Sequence, residues 1–149
     1  MGDFQTVQMT DEERDEFLMT GGTGVISFPA GIDEPPLSRP VSYGYDTTMA
    51  HFYFRFASAP KGEKSELVGR PISFVTYDHT DERWRSVIAT GELDDVEAAD
   101  VDSEIIDGMG RVDIPIVDMF DRPAREVSFR FVHLIPDELT SRKEARVED

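Results

Sequence analysis

Between Arg39 and Leu93 the apolar residues recur with a period of two, and this pattern constrains the fold of the 149-residue chain more than any other feature. Val41, Tyr43 and Tyr45 alternate with Ser42 and Gly44, and Phe52, Phe54 and Phe56 alternate with Tyr53, Arg55 and Ala57. Successive side chains of a strand point to opposite faces, so each run predicts a strand with one buried face. Asp46 to Met49 supplies the turn of a hairpin between them. Ile72 to Asp78 and Trp84 to Leu93 repeat the arrangement around the polar stretch Asp78 to Glu82, while Gly24 to Phe28 and Glu126 to Ile135 add a strand on either side. Six strands without helices long enough for parallel crossovers predict a mainly β, antiparallel barrel with a few short helices, in a single domain over residues 1–149.

The remaining stretches read as short helices or connections. Thr10 followed by Asp11, Glu12 and Glu13 fits a capping box that starts a helix running to about Thr20. Gly21 and Gly22 offer the left-handed conformation that ends one. Met1 to Met9 reads as an unanchored arm, Pro29 to Pro36 as a loop, and Ser65 to Val68 as a short helical stretch. Asp94 to Asp107 is acidic and weakly helical in spacing, Gly108 to Arg125 fits no period, and the charged tail from Ser141 reads as frayed.

Charge narrows the range of partners. Asp and Glu number 31 against 15 Lys and Arg, a net charge of −16, and such a field disfavours nucleic acid and anionic lipid. No apolar run approaches the length of a spanning helix and no signal peptide opens the chain, so a cytoplasmic location is expected. Zero cysteines exclude disulfides and thiolate chemistry. The abundance of carboxylate with only 3 lysines resembles cytosolic proteins of extreme halophiles.

The acidity is uneven. Residues 1–38 sum to −7 and residues 86–149 to −10, whereas residues 39–85 sum to +1 and hold Arg39, Arg55, Lys61, Lys64, Arg70, Arg83 and Arg85. These cations either grip a small anion or serve as solvated partners of nearby acids such as Glu66, Asp81 and Glu82.

Familiar catalytic signatures are absent: the sequence has no Gly-x-Gly-x-x-Gly, no phosphate loop ending in Gly-Lys-Ser/Thr, no His-Glu-x-x-His and no Gly-x-Ser-x-Gly. His79 between Asp78 and Asp81 reads as part of a polar turn, not as a metal ligand, and no metal is expected. His51 and His133 fall on strands, as hydrogen-bonded histidines at a sheet edge.

PLSRPVSYGYD, FYFRFASAPKGEKSELVGRPISFV and RWRSVIATGEL, in this order and spacing, resemble the flavin-binding split-barrel superfamily of pyridoxamine 5'-phosphate oxidase-like proteins. The likeness is greatest to its small single-domain, nitroimidazole-resistance-type branch. It implies a Greek-key split barrel that forms a homodimer, with flavin mononucleotide (FMN) held noncovalently at the subunit interface and exchanging a hydride with a small-molecule donor or acceptor. Carried over by position, the ring would lie on Arg39, Pro40, Val41, Ser42 and Tyr43 with Tyr53 to Ala57, including Arg55, Phe56 and Ala57. The phosphate would be held by Arg39, Ser58, Lys61 and Lys64, with Gly62-x-Lys64 matching the family's Gly-x-Lys. Trp84, Ser86 and Val87 match an aromatic-x-Ser-Val strand start that approaches the cofactor or the partner subunit. A deazaflavin coenzyme or haem in the same barrel, and a cofactor-free binding or structural dimer, are the alternatives.

Two departures limit the likeness. Arg55 stands where some nitroimidazole-resistance-type members carry a histidine, and the sequence lacks the carboxy-terminal substrate-binding extension of pyridoxamine phosphate oxidases, so vitamin oxidation is not expected.

Overall fold

The computed structural model describes residues 4–57, 69–96, 103–115 and 129–146. Among them, eight strands and two helices follow in the order β1 (Phe4–Gln8), α1 (Asp11–Leu18), β2 (Gly21–Phe28), β3 (Leu37–Asp46), β4 (His51–Ala57), β5 (Pro71–Thr80), β6 (Arg83–Asp95), α2 (Ser103–Met109), β7 (Phe129–Leu134) and β8 (Glu138–Arg146). Every pairing is antiparallel. The sheet order is β1-β8-β6-β5-β2-β3-β4-β7, and a further pairing of β6 with β7 closes six of these strands into a ring. The split arises on β6, one edge of which serves two partners in turn. Arg85 to Thr90 pair with β8, and Leu93 to Asp95 pair with β7.

The period-two residues fill the ring. Val41, Tyr43, Tyr45, Phe52, Phe54, Phe56, Phe74, Val87 and Leu93 all belong to one buried cluster. Phe74 sits at its centre, with ring centroids 4.9 Å from Phe54, 5.3 Å from Tyr43 and 5.5 Å from Phe52, in the tilted and edge-on arrangements that aromatic rings favour. The helix α1 starts as expected, with Glu13 N–H donating to Thr10 Oγ1 and Thr10 N–H donating to Glu13 Oε1. It lays Leu18 into the core, where the Leu18 carbonyl accepts from the Tyr43 hydroxyl at 3.1 Å.

Several sequence expectations are corrected. The helix ends on Met19 at φ 54°, and Gly21 and Gly22 belong to β2. Close approach explains Gly21, because a Cβ there would fall 1.8 Å from the Asp113 carbonyl oxygen and 2.6 Å from that of Tyr43. The arm and the tail are strands: β1 pairs with β8 from Phe4 opposite Arg146 to Gln8 opposite Arg142. Their charged and polar side chains concealed them, since a backbone ladder on an outer edge of the sheet needs no apolar alternation. The count therefore rises from six strands to eight, the six foreseen forming the ring. Among the described residues the acidic stretch after β6 contributes a helix from Ser103 to Met109, and residues 97–102 and 116–128 lie outside the described part.

Candidate functional site

Alternation along β3 and β4 puts a second set of residues on the outside of the ring. Ser42 pairs with Arg55, Gly44 with Tyr53 and Asp46 with His51, all facing away from the core. Part of this outer face is covered by α2 and the extended residues after it. The Tyr53 hydroxyl donates to the Ile105 carbonyl at 2.7 Å, and Arg55 Nη2 donates to the Pro115 carbonyl at 2.7 Å. Arg111 donates from Nε and Nη2 to the two oxygens of Asp46 at 2.8 and 2.7 Å. Small residues permit this approach: a Cβ on Gly44 would lie 2.6 Å from Val112, and one on Gly108 would lie 2.2 Å from the Tyr53 hydroxyl.

The electrostatics follow from that cover. Asp46 is only 1% exposed, and the hydrogen bonds from Arg111 hold its carboxyl below the usual carboxylate range. Burial pushes the Tyr53 hydroxyl up to about 12 and lowers the Arg55 guanidinium. His133 on β7 is fully buried, and its Nε2 lies 3.0 Å from Nδ1 of His51. Burial lowers both histidines, His133 to about 4. Neither stands at a sheet edge as expected, because β4 lies between β3 and β7, and β7 between β4 and β6.

Toward the start of β3 the described part of this cover ends. Pro40 and Arg39 are exposed, and Arg39 has no ion-pair or hydrogen-bond partner among the described residues. It sits near the end of the ring at which β4 terminates in Ala57, of whose side chain nothing is described. Ser58, Lys61 and Lys64 lie outside the described residues. Beside Arg39, Ser38 shares a 2.8 Å hydroxyl contact with Ser27, which borders a cleft of about 450 Å³ lined also by Phe28, Ile72, Ser73, Thr90 and Asp137.

The other predicted residues divide by face. Val41, Tyr43, Phe56 and Val87 have their side chains in the core, so they offer a ligand only backbone. Trp84 is 48% exposed on β6, stacked 4.7 Å from His79 and tilted at 5.6 Å from Tyr77, with Ser86 on the same outer side. The sheet order separates β6 from β3 by three strand spacings, about 14 Å at the usual interval, so one chain does not bring Trp84 to Ser42. Of the seven central cations, Arg85 pairs with Asp78 at 3.1 Å, Arg83 lies over the Phe4 ring at 5.4 Å, and Arg70 bonds the Pro29 carbonyl. Among the described cations of this set only Arg55 is brought to the outer β3–β4 face; Arg39, opposite the buried Ile26, falls on the core-facing side where β3 runs out of the ring.

Sequence reasoning missed one set of residues entirely: Ile105, Gly108, Arg111 and Pro115, which build the cover. The aperiodic stretch from Gly108 carried no signal beyond its prolines and scattered apolar residues. Among the described residues no group of three or more His, Asp or Glu side chains is placed to hold a metal ion. No helix among them is long and apolar enough to cross a membrane.

Comparison with known proteins places these observations in a family. The family model described as pyridoxamine 5'-phosphate oxidase matches residues 10–143. No curated protein matches the chain significantly. Among solved structures, an FAD-binding protein from Mycobacterium smegmatis superposes with a TM-score of 0.67 at 18% identity, covering 92% of this chain and 98% of that one. A candidate 5-nitroimidazole antibiotic resistance protein from Bacteroides thetaiotaomicron gives 0.56 at 15% identity, covering 98% and 92%. An FAD- and haem-binding protein from M. smegmatis gives 0.56 at 14% identity, covering 91% and 71%. At these identities the neighbours speak for the split-barrel fold alone.

Proposed function

The chain belongs to the pyridoxamine 5'-phosphate oxidase family, and from that premise we propose that it is a homodimeric, cytoplasmic flavoprotein that binds FMN noncovalently and acts as an oxidoreductase on a small molecule. The observation that carries the reading is Arg39: in a chain of −16 it is an exposed arginine that no described carboxylate neutralises, at the strand end where a phosphate loop would begin. A phosphate dianion gains charge-assisted hydrogen bonds only where such a cation is uncompensated. Lys61 and Lys64 would join Arg39 on the phosphate. The backbone beside the exposed Pro40 would take the flat ring, with Arg55 and the buried Ser42 next to it. When bound, the flavin supplies hydride exchange at its central ring nitrogen.

The homodimer is supported by the outer face of β2, β5 and β6. Thr23, Val25 and Ser27 on β2 face outward beside Ser73, Val75, Tyr77 and His79 on β5. Trp84, Ser86, Ile88 and Thr90 continue the patch on β6. None of these residues is Asp, Glu, Lys or Arg, in a chain of which 31% is charged. Two strongly anionic copies meet at least electrostatic cost through such a face. Packing face to face would also return Trp84 and Ser86 of one copy to the β3 rim of the other. Ile88→Glu is expected to convert the dimer to monomer in sedimentation at constant salt, and an unchanged dimer would remove this face from the proposal.

The identity of the ligand is tested by isolating the protein, recording its spectrum and weighing the released ligand. A yellow protein that releases FMN and is bleached anaerobically by NADH or NADPH is the expected outcome. Release of FAD, which two neighbours of the fold bind by description, would keep the flavin and remove the mononucleotide. A haem or deazaflavin spectrum, or colourless protein that takes up no flavin, would overturn the reading.

A further inference from the structure

We propose that Ser103–Pro115 is an acid-released strap, held over the outer face of β3 and β4 while the His51–His133 pair is neutral and lifted from it when the pair takes up a proton. The switch does not rest on the flavin reading, although the surface it uncovers adjoins the Ser42–Arg55 rim.

The geometry of the pair carries the argument. His133 Nδ1 is buried without a hydrogen-bond partner among the described residues, while Nε2 faces His51 Nδ1 at 3.0 Å. Placing the shared proton on His133 Nε2 leaves Nδ1 as a bare acceptor. The opposite assignment would bury an N–H with nothing to receive it, the costlier arrangement. An additional proton removes this choice. On His133 it creates the unreceived N–H directly. On His51 Nδ1 it takes away the acceptor, and the proton of His133 is driven to the same buried atom. Either way a buried donor is stranded, and the strap is the described element beside it, with its Ile105 carbonyl receiving the hydroxyl of Tyr53, whose ring lies 4.9 Å from that of His133, and its Glu104 acting on His51.

The strap is the element that can move. It holds the barrel through side-chain ties from Tyr53, Arg55 and Asp46 and through Asp113 with Thr20, not through a strand ladder. Around the histidines stand Asp46 on β3, Tyr53 on β4, Glu104 on α2, Arg111 beyond α2, and Asp94 on β6 opposite His133. Asp46 and Glu104 attract a proton to His51 while burial opposes it, and Arg111 competes for Asp46. Since burial lowers both histidines in the fold, the neutral arrangement contributes fully above the unfolded histidine value near 6.5 and is lost as pH falls from there toward about 4.

Hydrogen–deuterium exchange on the full chain at pH 7.5 and 5.0, corrected for intrinsic rates, tests the strap. Protection of Ser103–Pro115 is expected to fall at least tenfold at pH 5.0 while β2 and β5 remain protected. His133→Leu removes the stranded nitrogen altogether and is expected to keep protection within twofold between the two pH values. His51→Gln retains a carbonyl that can accept from His133 Nε2 and leaves His133 as the one titrating ring of the pair, and is expected to lose less protection than the parent chain but more than His133→Leu. No loss in the parent chain, a loss in His133→Leu equal to the parent's, or loss shared by β2 and β5 would overturn the proposal.

Discussion

Replacing Arg39 and Lys64 together by Ala is expected to weaken the proposed FMN binding by about a hundredfold or more, measured by fluorescence titration of the apoprotein. Hydrogen bonds to a charged group contribute about 1.5–3 kcal/mol each, so losing two removes at least about 3 kcal/mol. The effect is amplified by the background: with the cations gone, a phosphate dianion meets a chain of net −18 with nothing local to offset it. Arg39→Ala alone is expected to cost about tenfold or somewhat more, at one such bond. Arg83→Ala is the control, since its guanidinium lies over the Phe4 ring on another part of the surface. If the double variant binds as tightly as the parent chain, the phosphate is held elsewhere and the reading of Arg39 falls with it.

Phe74→Ala destabilises the fold by about 3–5 kcal/mol, the range for deleting a buried aromatic ring and leaving its cavity. Phe74 is fully buried and touches the rings of Tyr43 on β3 and of Phe52 and Phe54 on β4, so these two strands lose a shared contact with β5. Relaxation is limited because each of those rings is held by its own strand. The check is the midpoint of urea unfolding at fixed pH and salt, compared with Ile32→Ala in the connection between β2 and β3, where a fully exposed side chain has no packing to lose. Equal midpoints for the two variants would show that the ring interior is not the source of stability.

The strands of the ring were legible because each buries one face: Phe52, Phe54 and Phe56 report the inside of β4 as plainly as Tyr53 and Arg55 report its outside. The edges were not legible. β8 reads Glu-Leu-Thr-Ser-Arg-Lys-Glu-Ala-Arg, and what holds it is a ladder to Arg85 through Thr90 that uses no side-chain code. The glycines misled for a related reason. Gly21 follows a helix and invites assignment to its end, whereas its need is for room beneath Asp113, a residue far away in sequence. The site was legible in its β3–β4 half, where position along two adjacent strands fixes what faces out. Its cover was not, since Arg111 finds Asp46 and Pro115 finds Arg55 only through the path of an aperiodic segment. Trp84 marks an intermediate case: its exposure and its distance from β3 follow from strand order, which alternation alone does not determine.

The ladder between β1 and β8 joins Phe4 to Arg146, so its closure spans nearly the whole described chain. The entropic cost of joining distant segments rises with the length of chain between them, and β8 has no place to dock until β6 is laid down. The outermost hairpin-like seam is thereby a late event in folding and an early one in fraying. A fold of this kind records its own completion at that seam, where the first described residues and the last ones share a border.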